Sequence, residues 1–172
     1  MPMQPKTKLV KVLLTNIMIA IAISAVASYI AIGQAGVPAE AFVPAVIGST
    51  IKNSFIAYAV SFFVGMFIPC EKWGFGFAMG RGLTPADGLK FGAALNLVVN
   101  TVYVAFNSVI LTYLNACVFN GAPIAAFPAA WASSIIQCWL VGFVVSLFWA
   151  PASEKWARSI CHDPVPAAPD MH

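Results

Sequence analysis

The sequence predicts an all-α integral membrane protein with four transmembrane helices, arranged as two tandem parallel helical hairpins. Hydrophobic residues make up 60% of the 172 residues and charged residues only 9%, whereas soluble globular chains are about half apolar and about a quarter charged. The apolar runs lack the strict alternation of barrel strands, and only helices or closed barrels satisfy the backbone inside a bilayer. Residue identities also recur at a long, nearly constant spacing.

Four segments are each near the ~20 residues that cross a ~30 Å hydrocarbon core. They cover residues 10–32, 49–68, 95–119 and 130–150. The first segment has a basic start, as a cleaved signal peptide has, but its apolar stretch exceeds the usual length of about 7–15 residues in a signal core. It also aligns with the third segment, which cannot be a signal. We therefore expect the first segment to be retained as a helix.

The recurring identities predict that one two-helix unit occurs twice. Pairs spaced by 84 positions are Asn16 and Asn100, Ser24 and Ser108, Ser28 and Thr112, and Tyr29 and Tyr113. Pairs spaced by 85 positions are Gly36 and Gly121, Pro38 and Pro123, and Phe42 and Phe127. The triplet Glu71-Lys72-Trp73 recurs as Glu154-Lys155-Trp156. Self-similarity at a long period indicates a repeat architecture, so we expect a first membrane repeat at 10–83 and a second at 84–160, with short loop insertions between matched positions.

Positive charge predicts the orientation of the chain. Eight of the nine Lys and Arg residues fall on one predicted side of the membrane, and Lys52 is the exception. By the positive-inside rule, residues 1–9 and the tail 161–172 are both expected in the cytoplasm, with the protein in the cell (inner) membrane. The tail is rich in Pro and Ala and is expected to be disordered. The net charge of +3 reflects this bias, so we expect no nucleic-acid partner.

The connections carry helix signals and aromatic anchors. Thr84, Pro85 and Asp87 match a capping box, so the third helix is expected to begin there. The glycine-rich aromatic segment 73–77 precedes it as a connection. Trp73 and Trp156 fall where an interfacial aromatic belt would lie, although the repeated Glu-Lys-Trp triplet could instead dock a partner. The outer segments 39–46 and 124–130 either lead into the next helix or re-enter the membrane.

The motifs of common catalytic and metal sites are absent from the sequence. There is no HExxH, CxxC or GxxxxGK motif, and no acidic residue lies in a predicted span, which counts against a carboxylate-driven pump. His162 lies beside Cys161 and Asp163, but three adjacent residues cannot wrap one ion well. We therefore expect no metal, no cofactor and no enzymatic activity, and we interpret the four cysteines as free thiols.

Buried polar side chains are the remaining candidates for function. Asn96, Asn100 and Asn107 lie within one narrow arc of the third helix, so we expect them to face other helices or a polar cavity, with Asn100 near Asn16. They serve either as contacts between helices or as the lining of a solute path. The full set of candidates is Asn16, Lys52, Asn53, Asn96, Asn100, Asn107 and Gln137.

The fourth span resembles a family of small bacterial inner-membrane proteins of unknown function built from a two-helix hairpin. The likeness lies in Trp131, in Gln137-Cys138-Trp139 and in Pro151, since the family unit opens its second helix with Trp and closes it with Pro before basic residues. The second repeat fits best. In the first, Ile47-Gly48 stands where Trp would be, and Lys52-Asn53 has no counterpart. The resemblance implies a fold and a location, and it brings no activity.

Two functions follow as expectations. One is a small-solute or ion transporter or channel subunit that acts as an oligomer, because four short helices alone enclose little pore volume. The other is a structural or accessory membrane subunit that packs against a partner. In either case the partners expected are the lipid bilayer and further copies of the chain or another membrane protein.

Overall fold

The computed structural model describes residues 3–164, and over these residues the chain is helical with no strand. The helices are α1 (Pro5–Gln34), α2 (Ala39–Phe67), α3 (Cys70–Gly80), α4 (Leu89–Thr112) and α5 (Phe127–Cys161). A π-helical segment, Tyr113–Phe119, continues α4, and a short 3-10 turn, Ile124–Ala126, precedes α5. Four segments are long and apolar enough to span a membrane. The prediction of an all-helical protein with four such helices is therefore confirmed.

The long helices form a ring around a small apolar core. α1 packs along α2 and α5, and α4 packs along the same two helices, while α1 and α4 touch only briefly. Ile23, Val104 and Cys138 lie at the centre and are fully buried. Large apolar side chains cover the outer faces, and Phe55 and Phe67 are 75% and 76% exposed. Such faces suit a lipid environment, because hydrocarbon tails are as apolar as the side chains.

All four long helices begin before the predicted spans, and α2 and α5 extend furthest beyond them. α2 begins at Ala39 and runs through Pro44, so residues 39–46 lead directly into the helix and do not re-enter as a loop. α5 continues through Pro151 to Cys161, although a proline inside a helix removes one backbone hydrogen bond. The second Glu-Lys-Trp triplet therefore lies on α5 itself, whereas the first lies on the separate helix α3.

Residues 73–77 lie in the connection between the second and third long helices, as predicted, and there they form part of the short helix α3. Two glycines disfavour a helix by intrinsic propensity, but packing overrides that preference. A Cβ at Gly74 would lie 2.6 Å from the backbone oxygen of Leu95, so only glycine allows α3 to approach α4 this closely. The rings of Phe75 and Phe91 meet edge to face, with their centroids 5.3 Å apart.

The capping box at Thr84 is present, but it caps a single 3-10 turn. The backbone N–H of Thr84 donates to Asp87 Oδ2 at 2.7 Å, and the Thr84 hydroxyl donates to the same oxygen at 2.9 Å. Gly88 then adopts a φ of +55° and α4 begins at Leu89. The third helix therefore starts a few residues later than the motif predicts.

The start of the predicted disordered tail is ordered, and the prediction is corrected for residues 161–164. Asp163 is buried and accepts a hydrogen bond from the backbone N–H of Gln4 at 3.1 Å. Arg158 Nη1 lies 3.7 Å from the Asp163 carboxylate. These contacts join the end of α5 to the beginning of α1. Residues 165–172 lie outside the described residues.

We expect the junction at Asp163 to weaken in acid. The pKa of its carboxyl is lowered, first because it accepts the Gln4 N–H and further because of the Arg158 guanidinium. A carboxyl with a depressed folded-state pKa stabilises the fold above its unfolded pKa of about 3.9, and this stabilisation is lost as the pH falls through the folded value. Thermal unfolding between about pH 6 and pH 3 should therefore depend less steeply on pH in Asp163→Asn than in the wild type. Equal slopes would contradict this assignment.

Candidate functional site

A cavity of about 470 Å³ lies between α1, α4 and α5, at the end of the bundle where α1 begins. Three charged side chains line its mouth: Lys11, Glu71 and Glu154. Its walls are largely apolar, and Asn16 and Asn100 line its inner end. The volume falls within the range of about 300–1,000 Å³ that is typical of ligand pockets, and an apolar wall with a few polar groups is their usual composition.

At the mouth of the cavity, one lysine lies between two carboxylates. Lys11 Nζ lies 3.4 Å from Glu71 Oε1 and 3.4 Å from Glu154 Oε2. Arg158 adds a second cation, with Nη2 3.1 Å from Glu154 Oε1. The carboxylates come from the two copies of the Glu-Lys-Trp triplet, so the recurring motif meets at one point. Because Glu71 is about half exposed, the lysine pairs are screened by solvent and each contributes little stability.

The inner end of the cavity presents amide groups without partners. Asn16 is 1% exposed, and within residues 3–164 neither atom of its amide group makes a hydrogen bond. The Tyr103 side chain lies within reach of Asn16, yet the two are not bonded in this structure. Asn100 donates to the Trp139 carbonyl at 3.0 Å, while its own Oδ1 has no partner in the described part of the chain.

Unpaired buried amides are energetically costly. Leaving a buried donor or acceptor unsatisfied costs about 1–3 kcal/mol, and nearly all such groups in proteins find a partner. Asn16 offers one donor and one acceptor side, and Asn100 adds an acceptor. A molecule that forms hydrogen bonds with these atoms would therefore be stabilised in the cavity, because it would remove the cost of leaving them unpaired.

Asn96 and Asn107, which lie on the same narrow arc of α4 as Asn100, form hydrogen bonds to neighbouring helices. Asn96 donates to the Phe143 carbonyl at 3.1 Å and accepts from the Ser146 hydroxyl at 2.9 Å. Asn107 donates to the Ser61 hydroxyl and to the Tyr103 carbonyl, both at 2.9 Å. All three asparagines thus contact α2 or α5, while within residues 3–164 the Oδ1 atoms of Asn100 and Asn107 have no hydrogen-bond partner.

The remaining candidates lie elsewhere. Asn53 is buried in a separate network, where it donates to Ser28 at 3.0 Å and accepts from Asn115 at 3.0 Å. Lys52 and Gln137 are both exposed, and their roles as contacts between helices or as part of a path stay predictions. Lys52 Nζ lies 3.9 Å from the centre of the Phe119 ring, which is a cation–π distance.

The tryptophans of the repeated triplet remain predicted anchors. Trp73 and Trp156 are each about half exposed. Trp156 packs edge to face on Trp149, with centroids 5.1 Å apart, and Trp149 donates through Nε1 to the Leu14 carbonyl at 3.0 Å. Both tryptophans lie two residues after the glutamates that line the cavity mouth.

Sequence reasoning did not identify the side chains at the cavity mouth. The sequence predicts that the triplet is an interfacial anchor or a docking site, and nothing in it pairs the glutamates with Lys11. The available signal is the recurrence of the acidic residue itself, because the predicted parallel hairpins would place equivalent residues at the same end. Ser146 is missed for a different reason, since nothing in its spacing shows which helix it faces, whereas the periodicity places Tyr103 on the same face of α4 as the three asparagines.

The thiols and acidic groups of the described region form no metal site. Within residues 3–164 no three His, Cys, Asp or Glu side chains are placed to hold one ion, and the four cysteines are free. Burial, together with the neighbouring Glu71 carboxylate, raises the pKa of the Cys70 thiol. A raised pKa keeps the thiol protonated and therefore weakly nucleophilic.

Comparison of the chain with protein-family models gives no match. Comparison with curated proteins and with solved structures gives no match either. The resemblance to small two-helix inner-membrane proteins therefore remains a prediction.

Proposed function

We propose that this protein is a subunit of a membrane transport system and binds a small uncharged solute in the cavity between α1, α4 and α5. The buried Asn16, whose amide group has no partner in the described residues although it lines a cavity of about 470 Å³, is the observation that carries the proposal. Hydrogen-bonding potential left free at the inner end of a cavity is what a binding site requires.

The polarity of the cavity indicates the class of solute. Among the described residues, the charged side chains that line it are confined to the mouth, and the inner end offers the amides of Asn16 and Asn100. A charged group moved there would be desolvated without a counter-charge, which is unfavourable. A neutral molecule that both donates and accepts hydrogen bonds, such as an alcohol or an amide, fits better.

We further propose that the chain is two tandem parallel hairpins in the cell (inner) membrane, with both termini and the cavity mouth in the cytoplasm. The bias of Lys and Arg supports this orientation. Parallel hairpins are supported by Lys11, which contacts both Glu71 and Glu154. An inverted repeat would separate these equivalent glutamates by the thickness of the membrane.

A second candidate function, an accessory subunit that packs against another membrane protein or another copy of the chain, is favoured by Gln137. This amide is exposed on α5 between the exposed apolar side chains of Ile136 and Leu140. An amide facing hydrocarbon gains a hydrogen bond when a neighbouring helix covers it. Oligomers of the transport subunit would cover the same amide.

Replacing Asn16 by leucine tests the proposal. Purified protein in liposomes is mixed with glycerol, urea or acetamide, and solute entry is followed by stopped-flow light scattering. We expect the wild type to admit at least one of these solutes faster than protein-free liposomes. Asn16→Leu should reduce that rate about fivefold, as the loss of one hydrogen bond of ~1 kcal/mol would. Because Asn16 makes no bond within the described fold, Asn16→Leu should unfold at an equal or higher temperature.

Ile17→Leu is the matched control, because Ile17 is adjacent and points outwards, and its transport rate should equal that of the wild type. Wild-type entry no faster than in protein-free liposomes for all three solutes would refute transport of these solutes and favour the accessory role. A lowered unfolding temperature in Asn16→Leu would show that Asn16 is a structural contact.

A further inference from the structure

We propose that the solute path continues beyond the cavity, along the seam between α1, α4 and α5, to a second cavity at the opposite end of the bundle. A single apolar layer formed by Ile23, Val104 and Cys138 closes it. This inference rests on the proposed transport function. It identifies the layer of side chains that closes the proposed path.

The second cavity occupies about 230 Å³ between the same helices. α1 contributes Ala27 to its lining, α4 contributes Leu111, and α5 contributes Ser134. Asn115, in the π-helical segment, adds a polar group. Both ends of the seam therefore have a cavity with some polar lining, as expected for the two entrances of one path.

The positions of the lining residues along α1 and α4 give the distance between the two cavities. On α1 the first cavity reaches Ile19 and the second begins at Ala27; on α4 the corresponding residues are Tyr103 and Leu111. Eight residues of helix rise about 12 Å, which is about two turns. One layer of side chains lies between the two cavities on each of these helices, whereas on α5 the lining residues Ser134 and Ser146 are twelve residues apart, with Cys138 and Gly142 between them.

The side chains of that layer are apolar and completely enclosed. Ile23 and Val104 are 0% exposed and Cys138 is 1% exposed, and all three belong to one core cluster. Asn107 comes from the same depth of α4, but it donates to Ser61 on α2 and so is directed away from the seam. A constriction lined only by apolar groups excludes water and closes a path by dewetting.

The layer packs closely against a glycine of α5. Gly142 of α5 faces it, and a Cβ there would lie 2.8 Å from Asn100 Oδ1, 3.3 Å from Val104 Cγ2 and 3.5 Å from Ile23 Cδ1. Glycine at this position brings the α5 backbone against both side chains. A small displacement of α5 from α1 would therefore part the layer and join the cavities.

Reactivity of the Cys138 thiol tests the inference without any knowledge of the solute. Cys70, Cys117 and Cys161 are replaced by alanine, the protein is reconstituted in liposomes, and a small membrane-impermeant methanethiosulfonate reagent is added. We expect Cys138 to react slowly in this background. Adding Ile23→Ser places a hydroxyl in the layer, and the reaction should accelerate roughly tenfold because water enters the constriction. The rate of urea entry should rise in the same variant.

Two controls separate an opened path from a loosened fold. Ile21→Ser changes a side chain on the exposed face of α1, and Val64→Ser changes a buried side chain of a separate core cluster. Neither should accelerate the labelling of Cys138. If Ile23→Ser fails to fold, Ile23→Ala replaces it, with a smaller acceleration expected.

Labelling that stays slow in the folded Ile23 variant, or that rises equally in Val64→Ser, would overturn the inference. A path closed elsewhere would leave Cys138 unreactive while Asn16→Leu still impairs solute entry, so failure of this inference is distinguishable from failure of the transport proposal.

Discussion

Gly74→Ala is expected to detach α3 from α4 and to destabilise the protein by roughly 1–3 kcal/mol, the usual cost of overpacking. The added Cβ would lie 2.6 Å from the backbone oxygen of Leu95 and 3.2 Å from Val99 Cγ2. A backbone oxygen cannot rotate away as the end of a flexible side chain can, so the helices must separate. Thermal unfolding in detergent, with limited proteolysis of residues 70–80, measures the effect.

Gly76→Ala is the matched control, because it lies on the same helix and its Cβ would meet nothing within 4 Å in the described structure. Alanine favours a helix over glycine by about 0.5–1 kcal/mol, so this variant should be as stable as the wild type or more stable. Equal stability of Gly74→Ala and Gly76→Ala would show that α3 does not depend on close contact with α4.

Asn107→Leu should destabilise the bundle by about 2–3 kcal/mol, because it removes two hydrogen bonds and leaves the Ser61 hydroxyl without its donor. The side chain is 0% exposed, so leucine must also fit a space shaped for an amide. Asn16→Leu, at a position without such bonds, should not be destabilised. Calorimetry of both variants in one detergent makes the comparison, and equal unfolding temperatures would refute the division of the asparagines into structural and free groups.

Apolar runs and residue periodicity were sufficient to predict the four long helices and the burial of the α4 amides. A run near 20 residues has few alternatives in a bilayer, and an amide facing lipid is costly. Periodicity gives the face of a helix and not its neighbour. That is why Asn16 and Asn107 looked alike in the sequence, although only Asn107 has a partner among the described residues.

Local signals failed where distant packing decides the conformation. The glycines of α3 disfavour a helix, and it is the Leu95 backbone, far along the chain, that makes Gly74 necessary. The mouth of the cavity joins Lys11, Glu71 and Glu154 from three helices. No spacing within a single helix predicts such a meeting.

The two proposed hairpins differ most at their last turns. In the first, α2 ends at Phe67, Ile68 is extended and α3 starts anew at Cys70. In the second, α5 passes through Pro151 without a break. The glutamates nevertheless converge on the same lysine, so the contact at the mouth is retained by two different backbone routes.

The π-helical segment Tyr113–Phe119 explains why the spacing of the recurring residues changes. Tyr29 and Tyr113 are 84 positions apart and Gly36 and Gly121 are 85 apart, so one extra residue lies between Tyr113 and Gly121. Both glycines have a φ of +66°, and the prolines two residues later are both extended. The two turns therefore share one conformation. The extra residue of the second segment lies in the helical stretch before its turn, whereas the sequence predicts it in a loop.

A wider helical turn accommodates an additional residue without breaking the helix, which is how π-turns occur inside α-helices. In the proposed repeat, the second hairpin is therefore one residue longer within its helical segment, while the turn that follows keeps the conformation of the corresponding turn in the first hairpin.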